Sequence, residues 1–294
     1  MKIRHRWFSW RSALAAVLAP LFALAIGAGC SSFDEQQRKW VFQPSKDTWG
    51  GATATDGMQE VWIPFRSKEA GADVRLNALW LPRPEAGAPT LLYLHGARWD
   101  VRSSVGRMRR MHELGFSVLG IDYRGFGQST DALPSEASAL EDARAAWTWL
   151  AEQHPGTRRF VFGHSLGGAI AVDLASQIDD ADGLLLEGTF TSIADVLRTF
   201  KWGWLPVGAL LTQRFDAAER IGSVRTPVLV VHGSNDSLIR PELGRALYER
   251  ISAPKRFVLV EGGSHHNTNS VGQPLYRAAI TELFGFTGPT ATVN

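Results

Sequence analysis

The chain has 294 residues, 45% hydrophobic and 20% charged, which suits one large α/β domain or two smaller ones and argues against global disorder. The formal net charge of +2 comes from residues 1–29, which hold four basic residues and no acidic one, so 27 basic and 29 acidic residues remain. No basic stripe is present, so a nucleic-acid partner is not expected.

Residues 1–29 are interpreted as a signal peptide, because a basic stretch (2–11) leads into an apolar run (13–28) that is short for a membrane span. Small residues then precede Cys30, the only cysteine. This arrangement resembles the lipobox of bacterial lipoproteins, although Gly27 occupies a position where that family usually has Leu, Val or Ile. We predict an exported lipoprotein facing the periplasm, anchored in the membrane through lipidated Cys30. An uncleaved signal anchor and an ordinary signal peptide cut nearby are the alternatives.

Residues 30–57 are polar with scattered aromatics and are interpreted as a lipid-attachment tether and an entry segment that leads into the domain. Residues 58–67 and 74–81 alternate apolar and polar side chains, which predicts an antiparallel strand pair. Short apolar runs then alternate with stretches of helical period, which predicts one mostly parallel, doubly wound sheet of about eight strands over residues 58–286. The later predicted strands are 90–94, 117–121, 160–162, 183–186, 228–231 and 257–260. The predicted helices include 137–153, 241–251 and 271–284, and residues 287–294 are expected to form a flexible tail.

About forty residues separate the sixth and seventh predicted strands, many more than a plain crossover needs. Residues 188–225 are therefore predicted to form a small helical cap inserted after the sixth strand. Its large apolar side chains are expected to pack the cap onto the body, to line an apolar acyl pocket, or to do both from two faces. They are Phe190, Phe200, Trp202, Trp204, Leu205, Leu210 and Leu211.

The most informative motif is Gly163-His164-Ser165-Leu166-Gly167, between a predicted strand and a helix-compatible stretch. That context is typical of a nucleophile elbow, in which flanking glycines permit a strained turn and expose the serine hydroxyl. The Leu166 amide would then lie at a helix N-terminus and face a developing negative charge. The pattern alone is weak, because a Gly-rich turn between a strand and a helix can also produce it.

A serine nucleophile needs a base and an acid that orients the base. The loops after the last two predicted strands supply Asp236 and His265 in the required order, at the same sheet edge as Ser165. We predict a catalytic triad of these three residues, with His266 facing solvent or supporting the site. A turn or cap role for Asp236 and the use of Glu187 as the acid are the alternatives.

The loop after strand 90–94 begins with His95-Gly96, a tight pair that would direct the Ala97 amide at the reacting oxygen. We therefore predict that the amides of Ala97 and Leu166 form the oxyanion hole. His95 is expected to be structural rather than catalytic, and Arg124 to brace loops rather than bind substrate. No Cys/His cluster and no phosphate-binding glycine loop is present, so neither a metal ion nor a cofactor is expected.

Together these motifs resemble the α/β-hydrolase superfamily over residues 58–284, and in particular its Bem46/serine aminopeptidase S33-like group. The resemblance is carried by the segments 94–96, 122–129, 163–168, 187–192 and 232–236. It implies the α/β-hydrolase fold, a Ser-Asp-His triad and a small cap, but no particular substrate, because the superfamily hosts many chemistries. Relatives often carry Asn after the His-Gly pair. This chain has Ala97-Arg98-Trp99 there, which removes any contribution from an Asn side chain and places a bulky Trp99 beside the acyl site.

The function predicted from these residues is a cofactor-free serine hydrolase that cleaves small-molecule carboxylic esters or thioesters (class EC 3.1) through an acyl-enzyme. A serine peptidase on short peptides is the alternative among enzymes, and it would need an anionic pocket for the substrate amine, with Glu187 as the nearest candidate. A non-catalytic binding protein of the envelope is the alternative outside enzymes. The sequence leaves the acyl chain length, the physiological substrate and the oligomeric state open.

Overall fold

The computed structural model describes residues 31–46, 55–200 and 207–286. The predicted signal peptide, Cys30 and the tail at 287–294 therefore lie outside the described residues, as do the cap side chains Trp202, Trp204 and Leu205. Among the helices within the described ranges, none is both long and apolar enough to cross a membrane.

Eight strands in the described part of the chain form one sheet. They are β1 (Gln59–Arg66), β2 (Asp73–Leu81), β3 (Thr90–Leu94), β4 (Ser117–Ile121), β5 (Arg159–His164), β6 (Gly183–Glu187), β7 (Val228–Gly233) and β8 (Lys255–Val260). Their order across the sheet is β1-β2-β4-β3-β5-β6-β7-β8. β2 pairs antiparallel with β1 and β4, and all other neighbours are parallel. The predicted mostly parallel sheet is confirmed.

Helices cover both faces of this sheet. They are α1 (31–42), α2 (Val105–Glu113), α3 (Glu136–Gln153), α4 (Leu166–Ser176), α5 (Ile193–Arg198), α6 (Ala217–Arg220), α7 (Pro241–Glu249), α8 (Thr268–Val271) and α9 (Gln273–Phe284). Ser135 caps the N-terminus of helix α3. Its side chain accepts from the Ser138 amide, while the Ser138 hydroxyl accepts from the Ser135 amide. The single helix predicted at 271–284 is instead α8 and α9, divided at Gly272, with a proline in the first turn of α9.

The parallel strands are buried on both faces, as their unbroken apolar sequences predict. Alternate residues of a strand point to opposite faces. Leu92 and Val161 accordingly belong to the hydrophobic cluster that includes α3 and α4, whereas Leu91 and Phe160 belong to the cluster that includes α2 and α9. Both clusters fix the strands in one register, so the carboxyl ends of β3, β5, β6, β7 and β8 meet along one edge.

The segment between β6 and β7 carries α5, α6 and two 3₁₀ turns, Val207–Leu210 and Ile221–Ser223. Short helices are thus present where the cap was predicted. Phe190 is buried in the core, whereas Phe200 and Leu210 are 46% and 61% exposed. The described apolar side chains of this segment therefore include both buried and exposed members.

Helix α1 packs on the rest of the domain and on this segment, which our interpretation of residues 30–57 as a tether and an entry segment did not specify. The Phe42 ring lies edge-on to Phe126 and Phe215, with centroid distances of 6.4 and 5.6 Å. Gln37 donates from its side-chain amide to the Leu210 carbonyl (2.8 Å). A buried aromatic contact and a hydrogen bond across 173 residues of sequence thus hold α1 in place.

Candidate active site

Ser165 lies at the turn from β5 to α4 with φ 56° and ψ −121°, a conformation that costs energy for any residue with a Cβ. The Ser165 amide donates to the Glu187 carbonyl (2.9 Å), and the Thr189 hydroxyl donates to the Ser165 carbonyl (3.0 Å). Gly163 allows α4 to approach, since an ideal Cβ there would lie 2.3 Å from the Gly167 carbonyl oxygen. The Glu187 carbonyl and the Thr189 hydroxyl therefore hold the strained turn, and neighbouring backbone leaves no room for a side chain at position 163.

The three residues predicted as a triad are brought together. His265 Nε2 lies 3.0 Å from Ser165 Oγ, and His265 Nδ1 lies 2.8 Å from Asp236 Oδ2. A carboxylate only accepts hydrogen bonds, so Nδ1 carries the proton and Nε2 is left to accept the serine hydroxyl. His266 is exposed, as expected for the histidine that does not face the serine.

The two carboxylate oxygens of Asp236 have different hydrogen-bond partners. Oδ1 accepts from the amides of Leu238 (3.0 Å) and Ile239 (2.8 Å), so the turn role considered as an alternative is also present. Oδ2 faces His265. Burial raises the pKa of Asp236, but hydrogen bonds from His232 and His265 outweigh it and hold the pKa below its ordinary value. The carboxylate therefore stays ionised and fixes the tautomer of His265.

His232 is a buried neighbour of this carboxylate to which we assigned no role from the sequence. Its Nε2 donates to the Ile239 carbonyl (2.9 Å) and lies 3.5 Å from Asp236 Oδ2. Its position four residues before Asp236 in one motif was the available signal. The imidazole thus lies near the same carboxylate oxygen that His265 binds and helps to hold it ionised.

Glu187, the alternative acid, is 1% exposed and belongs to a separate buried network. Its carboxylate accepts from Arg107 Nε (2.7 Å) and from the Tyr276 hydroxyl. Arg107 Nη2 also donates to the backbone carbonyls of His265 (3.0 Å) and His266 (3.2 Å). The arginine thereby joins α2 and the end of β6 to the loop that carries His265. Nothing local in the sequence distinguishes Arg107 from the other arginines of α2.

His164, the residue before the serine, is bound to the same arginine. Arg107 Nη2 donates to His164 Nε2 (3.1 Å). Burial, and then the positive charge of Arg107, lower the pKa of His164 well below its ordinary value. A neutral imidazole therefore packs beside His265, with ring centroids 4.9 Å apart, and adds no charge to the site.

Both predicted oxyanion donors belong to segments that adjoin Ser165. Leu166 is the first residue of α4, so its amide belongs to the helix N-terminus. Gly96 passes close to the serine, since an ideal Cβ on it would lie 3.1 Å from Ser165 Cβ. The following residue, Ala97, is thereby brought beside the serine on the side of β3.

The loop that bears Ala97 is held from outside by the end of α1. The Arg98 amide donates to the Phe42 carbonyl (2.9 Å), and Arg98 Nε donates to Gln43 Oε1 (2.8 Å). Gln43, Arg98 and Trp99 all adopt positive φ, at 46°, 67° and 38°. We interpreted residues 30–57 as a tether and an entry segment and predicted no contact between them and this loop.

His95 and Arg124 have the structural surroundings expected of them. Burial lowers the pKa of His95 to about 4, and its ring packs against Tyr123 and Phe126 at centroid distances of 4.7 and 5.0 Å. Arg124 Nε donates to Asp142 Oδ1 (2.7 Å), and both side chains are buried. Within the ranges that the structure describes, no group of three or more His, Cys, Asp or Glu residues could hold a metal ion.

Comparisons with known proteins point to one family. The family described as Serine aminopeptidase, S33 matches residues 87–219 and 207–270. An uncharacterized protein of Mycobacterium tuberculosis is 35% identical over 236 residues, which cover 79% of this chain and 81% of that protein. The Bem46 protein of Schizosaccharomyces pombe is 34% identical over 188 residues, 61% of this chain and 62% of that one.

A lipase and an esterase are also among the similar proteins. The lysophosphatidylserine lipase ABHD12 of Danio rerio is 28% identical over 199 residues, 61% of this chain and 52% of that protein. The structure of the esterase Pf2001 of Pyrococcus furiosus superposes with a TM-score of 0.65 over 82% of this chain and 99% of that chain, at 16% identity. At that identity the likeness shows a shared fold alone.

Replacement of Arg107 tests the buried network. Arg107→Met leaves the Glu187 carboxylate without its cation, which is expected to lower the free energy of unfolding by about 3–5 kcal/mol. The double variant Arg107→Met/Glu187→Gln should recover part of this loss, because no uncompensated charge remains. Urea denaturation of the wild type, both single variants and the double variant measures the coupling. Purely additive effects would contradict the ion pair.

The Asp236 carboxylate makes stability depend on pH. Its folded-state pKa lies below the ordinary value of 3.8, so its contribution is present above pH 3.8 and is lost as the pH falls through the folded-state pKa. Asp236→Asn is therefore expected to lower the free energy of unfolding by about 2 kcal/mol at neutral pH, and by progressively less in acid. Denaturation of both proteins at neutral and acidic pH measures this. A difference independent of pH would show that the charge of Asp236 is not the cause.

Proposed function

Because the chain belongs to the serine aminopeptidase S33 family and is a hydrolase of the α/β-hydrolase class, we propose that it cleaves carboxylic ester or thioester bonds with Ser165 as nucleophile. The observation that carries the proposal is the chain of contacts from Asp236 Oδ2 to His265 (2.8 Å) and from His265 to Ser165 Oγ (3.0 Å). These contacts have the geometry that general-base activation of a serine requires.

In the first half of the proposed reaction, His265 takes the Ser165 proton while Oγ attacks the acyl carbon. The amides of Ala97 and Leu166 stabilise the oxyanion of the tetrahedral intermediate. Asp236 remains an anion and stabilises the imidazolium. The imidazolium then protonates the departing alcohol or thiol, and the acyl group stays bound to the serine.

In the second half, a water molecule takes the place of the leaving group. His265 removes its proton as the water oxygen attacks the acyl carbon. Collapse of the second tetrahedral intermediate releases the carboxylic acid and returns the proton to Ser165 Oγ. No cofactor enters either half.

Peptide cleavage is the second candidate, because the family bears the name of an aminopeptidase. An aminopeptidase needs a free anionic group for the substrate amine. Glu187, the nearest candidate, is buried and is bound by Arg107 and Tyr276, so it offers no such group. The lipase among the relatives also favours an ester. The contacts of Ser165 favour an enzyme over a non-catalytic envelope protein.

We also propose that the protein acts at the bacterial envelope, anchored through a lipidated Cys30. The support is the apolar run and the small residues before this cysteine. Mass spectrometry of the mature protein purified from membranes is expected to find modified Cys30 as the first residue. An N-terminus elsewhere, or an unmodified Cys30, would refute the lipid anchor and leave the hydrolase proposal intact.

Replacement of Ser165 tests the catalytic proposal. Ser165→Ala should abolish labelling by a fluorophosphonate probe and lower the hydrolysis of a short-chain nitrophenyl ester by roughly 10⁴-fold or more. His265→Ala should act similarly, whereas the matched variant of its exposed neighbour, His266→Ala, should keep most of the activity. Wild-type turnover in Ser165→Ala would falsify the assignment.

The substrate class is tested with the wild type. We expect hydrolysis of ester or thioester substrates, at rates that depend on acyl chain length, and no release of amino acids from short peptides. Faster cleavage of peptides than of esters would establish the second candidate instead.

A further inference from the structure

Helix α1 has an exposed apolar edge beside the segment between β6 and β7. Phe33 and Trp40 are 49% and 50% exposed and lie seven residues apart, so they share one side of the helix. Gln37 lies between them and donates to the carbonyl of Leu210, whose side chain is 61% exposed. We call these three large side chains, Phe33, Trp40 and Leu210, the α1 patch.

The charged residues of α1 are paired within the helix. Lys39 Nζ lies 2.5 Å from Glu35 Oε1, and Arg38 lies 3.7 Å from Asp34 Oδ2. Arg38 also donates to the carbonyl of Pro134 (3.0 Å). The helix can therefore approach an apolar phase without leaving an unmatched charge beside the α1 patch.

The sequence before α1 indicates that this apolar phase is a lipid membrane. Cys30 immediately precedes the helix, and the apolar run 13–28 ends two residues earlier. A lipidated Cys30 and a retained signal anchor would both place the chain in the membrane directly before residue 31. One residue spans only about 3.8 Å, so no tether separates the helix from the lipid.

The helix also fixes the distance from the membrane to the active site. Twelve residues of α helix are about 18 Å long. At the far end, the Phe42 carbonyl binds the amide of Arg98, next to the proposed oxyanion donor Ala97. About one helix length of chain thus separates residue 31 from the loop that carries Ala97.

We propose that the α1 patch docks onto the surface of a phospholipid bilayer and holds the Ser165 site at that surface. A tryptophan and a phenylalanine at the contact suit the boundary between headgroups and acyl chains. Esters carried in the bilayer would then reach the site without crossing bulk water. This consequence for the substrate rests on the proposed function, whereas the docking itself does not.

Fluorescence quenching tests the docking without reference to activity. Phe33→Cys, Trp40→Cys and Leu210→Cys are made one at a time in the full chain. Each protein is reconstituted into vesicles of phosphatidylethanolamine and phosphatidylglycerol, labelled with bimane, and quenched by brominated lipid. Leu275→Cys is the matched control, because Leu275 is 45% exposed on α9, distant in sequence from α1. The unsubstituted protein reports any labelling of Cys30.

We expect strong quenching at the three patch positions and little at the control. Absence of quenching at the patch, or equal quenching at all four positions, would overturn the docking. Self-association that shields the patch labels from brominated lipid would also overturn it, in favour of a second copy of the chain as the occupant.

Measurements of activity form the second part of the test. Phe33→Glu/Trp40→Glu/Leu210→Glu should lower the hydrolysis of a vesicle-borne ester by about tenfold or more and change that of a soluble ester by about twofold at most. Leu275→Glu should leave both unchanged. Equal losses on both substrates, or no loss on either, would overturn the proposed positioning. A wild type that hydrolyses neither ester would refute the proposed function and leave the quenching to decide the docking.

Discussion

The site depends on the close approach of α4 to the ends of β3 and β5. An ideal Cβ on Gly167 would lie 2.1 Å from the Leu94 carbonyl oxygen, so only glycine lets the helix start there. Ser165, two residues before Gly167, adopts a positive φ in the turn at this approach. Because β3, β5, β7 and β8 end at the same edge, Gly96, Asp236 and His265 are delivered to that turn by the sheet itself.

Residues that mark chemistry locally were predictable from the sequence. The apolar runs predicted the strands, because parallel strands must be buried on both faces. Ser165, Asp236 and His265 stood out because each follows such a run in the order that the geometry needs. The role of Arg107 was not predictable, because its partner Glu187 is 80 residues away and the sequence does not distinguish a buried arginine from an exposed one. The packing of α1 on the domain was not predicted, because the mostly polar composition of residues 30–57 gave no sign that Val41 and Phe42 are buried.

Charge in the site is arranged in two layers. Next to the serine, the ionised carboxylate of Asp236 binds His265 and lies near His232, while burial keeps His164 and His95 neutral. Behind this layer, Arg107 and Glu187 neutralise each other, and Arg107 Nη2 donates to the backbone of the His265 loop. The orientation of His265 is therefore supported through its side chain and its main chain independently.

The contact between α1 and the loop at Arg98 bears on where the folded domain begins. A shortened protein that starts at β1 looks reasonable from the sheet, because β1 is the first strand. It would nevertheless remove the ring that packs on Phe126 and Phe215 and the carbonyl that binds the Arg98 amide. Helix α1 (31–42) therefore belongs to the folded unit that carries the site.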